Sequence, residues 1–180
     1  MSIMSRRWHA TKLISTREWK DTWVKPGIYV VMVLSLLLGA FALRSTLTTV
    51  ANMKGGVLTS PLTFALFLAV SLGGTYIALC SAMAIARERE TGTLEVLFYG
   101  PVDSISYIFG RFLEQVFTFV TMLVFLTIYF LFAGIYTNVG FSTNFLLMLV
   151  FSVFVVGGMV AFGIFISSLM GRTRSSIIVF

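Results

Sequence analysis

Charge is scarce in this chain. Of its 180 residues only 11% are Asp, Glu, Lys or Arg, against roughly a quarter in ordinary soluble domains. With 58% hydrophobic residues there is more apolar surface than one small soluble core can hide, so the bilayer is the solvent that fits. Cysteine is nearly absent as well. The single Cys80 lies in an apolar run, which excludes a disulfide framework and cysteine-based metal spacing; it reads as a small core residue rather than a nucleophile. His9 is the one histidine and falls in a basic N-terminal stretch, where a hydrated or headgroup-facing role suits it better than catalysis. No Ser–His, Cys–His or paired-carboxylate arrangement occurs within the apolar runs, which speaks against an intramembrane protease or lipid transferase. The G-x-x-x-x-G-K-[ST] loop is missing too, so these residues cannot cradle ATP phosphates themselves.

What is present is unevenly placed. The formal net charge is +6, and Arg6, Arg7, Lys12, Arg17, Lys20 and Lys25 crowd the N-terminus among Trp8, Leu13, Ile14, Trp19 and Trp23. Indole rings favour the headgroup layer, and Lys and Arg favour anionic lipid. The pattern predicts an amphipathic helix from Ser5 to Lys25 on the cytoplasmic membrane surface, ended by Pro26-Gly27. Basic residues form no stripe outside membrane flanks, so nucleic acid is not a partner. The first apolar run starts only near Ile28 and no small-residue cleavage pattern follows it, so this segment is expected to stay as an anchor. The reading divides the chain into an interfacial helix, residues 1–27, and a membrane domain, residues 28–180.

Four apolar runs are expected to span the bilayer: about Ile28–Leu43, Leu62–Ala86, Ile105–Ile135 and Asn144–Met170. The first is short of the roughly 20 residues a span needs, and a polar loop is expected over Ser45–Ser60, with Pro61 in the first turn of the next helix. Gly74, Ala78, Ala82 and Ala86 recur at four-residue steps in the second span, and Gly163, Ser167 and Gly171 in and after the fourth. Small side chains at that spacing line one helix face and let another backbone come close, so these are candidate helix-packing positions. Glu114 is the one acidic residue inside a span, and its i, i+3 spacing from Arg111 allows a local ion pair.

Between the second and third spans runs a dense charged segment, Arg87-Glu88-Arg89-Glu90-Thr91-Gly92-Thr93-Leu94-Glu95. Arg87, Arg89, Arg111, Arg172 and Arg174 fall on the side of the basic N-terminus, and only Arg44 and Lys54 on the other. The positive-inside rule then places the charged segment in the cytoplasm. Gly92 permits a sharp change of direction, and Leu94, Leu97 and Phe98 form one sticky face ended by Pro101. A short amphipathic helix is expected across residues 87–103.

The run Glu88-Arg89-Glu90-x-Gly92-Thr93-Leu94-Glu95, then Pro101-Val102 and Tyr107-Ile108-x-Gly110-Arg111, resembles the permease subunits of type-2 ATP-binding cassette (ABC) exporters. The resemblance covers most of the chain. It implies an all-α integral membrane protein of the cell membrane, with the N-terminus cytoplasmic. It implies two partners, a separate ATPase subunit that binds the ATP and a second permease copy, and no cofactor in this chain. It makes Glu88, Arg89, Glu90, Gly92, Thr93, Leu94, Glu95 and Pro101 the residues that dock on the ATPase and pass on its movement. Permeases of that kind have about six spans, so the apolar run begun at Ser175–Phe180 is expected to be the start of a fifth. Phe98-Tyr99-Gly100 stands where relatives are more aliphatic and polar. A different class remains open from the residues alone: a non-transporting membrane scaffold whose charged turn recruits a soluble partner.

Overall fold

A computed structural model describes residues 3–52, 61–92, 104–139, 143–170 and 173–180. Within them every regular element is a helix: α1 Ile3–Val24, α2 Pro26–Asn52, α3 Pro61–Glu90, α4 Ser104–Thr137, α5 Thr143–Leu169 and α6 Thr173–Val179. Four of these, α2 to α5, are long and apolar enough to cross a membrane. The protein is therefore an all-α integral membrane protein, since an uninterrupted helix satisfies its backbone groups without water.

Prolines mark where helices begin. α1 stops at Val24, and Pro26 opens α2, where its missing N–H costs nothing and its fixed φ suits a first turn. Pro61 opens α3 in the same way. Trp23 braces the bend, with Tyr29 of α2 at 6.0 Å and Phe125 of α4 at 6.2 Å between ring centroids.

The first span is longer than the sequence predicts. The expected loop from Ser45 is helical as far as Asn52, while Lys54, Gly55 and Gly56 lie outside the described residues. Hydroxyls explain the difference. Thr46 donates to the carbonyl of Ala42 at 2.9 Å, and Thr48 and Thr49 to that of Ser45 at 2.8 and 2.9 Å. These side chains close their bonds on their own helix, so a polar stretch need not end it. The charged segment also begins differently, because Arg87 to Glu90 form the last turn of α3.

α3 is the centre of the bundle, packed against α2, α4, α5 and α6. Half of its most apolar stretch is buried, against 17% for α5, so α3 is the span most covered by protein and α5 turns most of its surface outward. Leu62, Leu66 and Ala69 of α3 meet Phe119, Met122, Leu126 and Phe130 of α4 and Val156 and Val160 of α5 in the core. Phe41, Phe132, Phe154 and Phe165 stand exposed on the outside, an inversion that suits a hydrocarbon solvent.

α1 does not stand alone. It runs beside the first turns of α4 in the same direction: Thr11 reaches the carbonyl of Ser106, Glu18 meets Arg111, and Thr22 meets Glu114.

Candidate functional site

The charged segment leaves α3 through a C-terminal cap. Thr91 and Gly92 donate backbone bonds to the carbonyls of Arg87 and Arg89 at 3.1 and 3.2 Å, and the Thr91 hydroxyl turns back to Arg87 at 3.1 Å. Gly92 has φ of 70°, a left-handed conformation that costs glycine nothing and other residues more. Arg87 and Arg89 sit in the last turn, where cations complement the helix dipole.

Glu88, Arg89 and Glu90 of that turn then each reach a different neighbour. Glu88 accepts from the Tyr107 hydroxyl and pairs with Arg111, both on α4. Arg89 donates to the carbonyls of Ser168 and Met170 at 3.2 and 3.3 Å, at the end of α5. Glu90 accepts from the backbone N–H and the hydroxyl of Thr173 at 2.8 and 2.5 Å, where α6 begins. Of the other residues expected to couple to an ATPase, Thr93, Leu94, Glu95 and Pro101 lie outside the described residues.

Arg111 collects what the turn does not. Its nearest carboxylates come from other helices, Glu88 of α3 and Glu18 of α1, the latter at 2.6 Å. The local partner expected from spacing, Glu114, is the most distant at 3.8 Å. Glu114 is 1% exposed and is satisfied instead by the Thr22 hydroxyl at 2.8 Å and the Gln115 amide at 3.1 Å. Three carboxylates thus surround one guanidinium, whose planar fork can serve several at once. Lys25 and Arg87 line the same cavity of about 440 Å³ between α1, α3 and α4, as does Cys80.

Glu18, Thr22 and Gln115 were not singled out from the sequence, and Tyr107 stood out only as part of the run Tyr107-Ile108-x-Gly110-Arg111. Glu18 offered one signal, an acid among the bases of α1, but nothing in the chain shows that it lies 93 residues from its partner. The described residues hold no group of three His, Cys, Asp or Glu side chains arranged for a metal ion.

Above this end, small residues bring α3 and α5 together. Gly74, Ala78 and Ala82 are buried on α3, Gly163 and Ser167 on α5. A methyl group added at Gly163 would lie 3.0 Å from the backbone nitrogen of Ala82 and 3.1 Å from the carbonyl of Ala78. One added at Gly74 would meet Val156 at 2.7 Å. The Ser167 hydroxyl accepts from the backbone N–H groups of Ile85 and Ala86, each at 3.0 Å. Ser167→Ala is expected to cost about 1 kcal/mol, read as a lower unfolding midpoint in detergent; no change would show that the hydroxyl is dispensable.

Four spans, a charged turn bonded to its neighbours and a close small-residue seam describe a helical membrane protein. No curated protein and no solved structure matches the chain. The family model described as ABC-2 family transporter protein matches residues 14–180, taking in every span, the cap at Gly92 and the carboxylate cluster about Arg111. The chain belongs to the family of ABC-2 transporter proteins.

Proposed function

We propose that this chain is the permease subunit of an ABC exporter in the cell membrane, working with a separate ATPase subunit and a second permease copy. In this reading the end carrying Glu88 and Arg111 faces the cytoplasm together with the N-terminus, and the ATPase acts on residues 87–103. Glu88, Arg89, Glu90, Gly92, Thr93, Leu94, Glu95 and Pro101 make the docking segment. The partner binds ATP, and this chain catalyses nothing. Orientation is supported by the basic side chains at that end, Arg87, Arg89 and Arg111 together with those of α1.

One observation carries the reading. The last turn of α3 is bonded through Glu88 to α4, through Arg89 to the end of α5 and through Glu90 to α6, and Arg111 extends the connection to Glu18 on α1. A push delivered just past Gly92 would reach four helices through side-chain bonds, without waiting on the compliance of a loose loop. Gly74, Ala78, Ala82, Gly163 and Ser167 form the seam along which α3 and α5 would move as one body. The few ionisable groups deep in the spans suit an apolar or amphipathic cargo.

The test is co-purification of the full-length protein in mild detergent. An ATPase bearing the phosphate-binding loop is expected to accompany it. Glu90→Arg combined with Glu95→Arg should still insert but recover at least about tenfold less ATPase, because like charges brought together at an interface cost several kcal/mol. Thr173→Ala removes the hydroxyl that donates to Glu90 from α6, keeps the backbone N–H bond and changes no charge, and should leave the ATPase bound. A soluble partner without ATPase motifs, or undiminished recovery from the double variant, would instead favour a recruiting scaffold.

A further inference from the structure

Between α1 and α4 lies a crevice of about 510 Å³. Its two walls differ in chemistry. Lys12, Ser15, Thr16 and Trp19 line it from α1, and Leu113, Phe117 and Thr121 from α4, where the Thr121 hydroxyl is turned back to the Phe117 carbonyl at 2.8 Å. Lys12 is exposed, and no carboxylate of the described residues pairs with it. Phe117 is 53% exposed and continues upward into a stripe of exposed side chains, Val124, Phe125 and Ile128, which faces hydrocarbon in a membrane protein. The crevice therefore sits at the level where headgroups give way to chains, with a cation and hydroxyls on one side and apolar surface on the other.

A second observation points to a missing acceptor. The indole N–H of Trp19 is shielded from solvent and has no hydrogen-bond partner among the described residues. A buried donor left unpaired is costly and is normally matched by an oxygen from somewhere. The occupant that answers all these features carries an anionic oxygen at one end and a hydrocarbon chain at the other.

We propose that this crevice binds one anionic phospholipid, with its phosphate on Lys12 and the α1 hydroxyls, the Trp19 indole donating to the headgroup, and an acyl chain on Leu113 and Phe117. The lipid fills the gap between α1 and α4 and holds α1 beside the bundle. The inference rests on the membrane fold and not on the ATPase reading, so either can fail without the other.

The experiment uses the full-length protein in nanodiscs of phosphatidylcholine alone or with phosphatidylglycerol, read by native mass spectrometry for retained lipid and by thermal unfolding. The expected result is one phosphatidylglycerol retained in preference to phosphatidylcholine, with a higher unfolding midpoint. Lys12→Gln should weaken that retention by roughly fivefold, the worth of one basic residue at a lipid surface. Trp19→Phe, which keeps an aromatic ring and removes the donor, should weaken it as well. Lys20→Gln, an exposed basic change on the same helix outside the crevice, should leave it intact. Equal losses for Lys12→Gln and Lys20→Gln would reduce the effect to general surface charge and overturn the site. Equal retention of the two lipids by the wild type would overturn it too, as would the same stabilisation from inorganic phosphate added to phosphatidylcholine discs.

Discussion

Gly163→Leu is expected to lower the stability of the protein by about 3 kcal/mol, the upper part of the range for forced overpacking. The magnitude follows from what the new side chain would meet. Its first carbon would stand 3.0 Å from the Ala82 nitrogen and 3.1 Å from the Ala78 carbonyl, both backbone atoms of α3. A flexible side chain can swing aside, whereas a helix backbone moves only as a unit, so α5 must withdraw along the seam. Withdrawal also breaks the bonds from Ile85 and Ala86 to Ser167, and Val156 would lose its contact at Gly74. Gly157→Ala is the matched control, since a methyl group there meets nothing within 4 Å; alanine also favours the helix by up to about 1 kcal/mol. Unfolding measured by titration into a denaturing detergent separates the two. Equal stability for both variants would mean that α3 and α5 are not in backbone contact at Gly163.

Arg111→Ala should be the most damaging change at the charged end, with a loss of about 3 to 5 kcal/mol, the range for removing one partner from a buried charge cluster. Glu18, Glu88 and Glu114 would then face one another without the guanidinium between them, and Glu114 is almost fully enclosed. Arg111→Lys restores the charge but not the planar fork, so it should recover only part of the loss. Glu18→Gln should cost less than Arg111→Ala, because Glu88 and Glu114 still hold the arginine. In a double-mutant cycle, Glu18 and Arg111 should show coupling of about 1 kcal/mol or more, as residues in direct contact do. Lys20→Ala, at an exposed base of α1 with no ion-pair partner among the described residues, provides the baseline. If Arg111→Ala matched that baseline, the cluster would contribute nothing to holding α1 on α4.

These two variants mark different degrees of legibility. The spacing of Gly163 and Ser167, and of Gly74, Ala78 and Ala82, is a local property of each helix, because 3.6 residues per turn places every fourth residue on one face. The sequence therefore announces a close-packing face on each span. Which faces meet is another matter, and so is the packing of α3 against α2, α4, α5 and α6. The end of α2 was misread for a related reason: a run of Ser and Thr looks like a loop until their hydroxyls are seen to bond back one turn.

The four apolar spans, the basic flank, the start at Pro61 and the turn at Gly92 could all be read directly, since each follows from local composition or from one residue's own conformational limits; Pro26, expected to end α1, also opens α2. The family resemblance was legible in the same way, as an order of residues along the chain. As an ion-pair partner Arg111 was legible only for Glu114, and the two carboxylates closest to it come from α1 and α3. Charge pairing between helices depends on distance in space, and the linear order of residues carries little of that information. The membrane solvent is written in composition, whereas the joining of α1, α3, α4, α5 and α6 at one end required folding to bring distant carboxylates, guanidinium groups and carbonyls within hydrogen-bond reach.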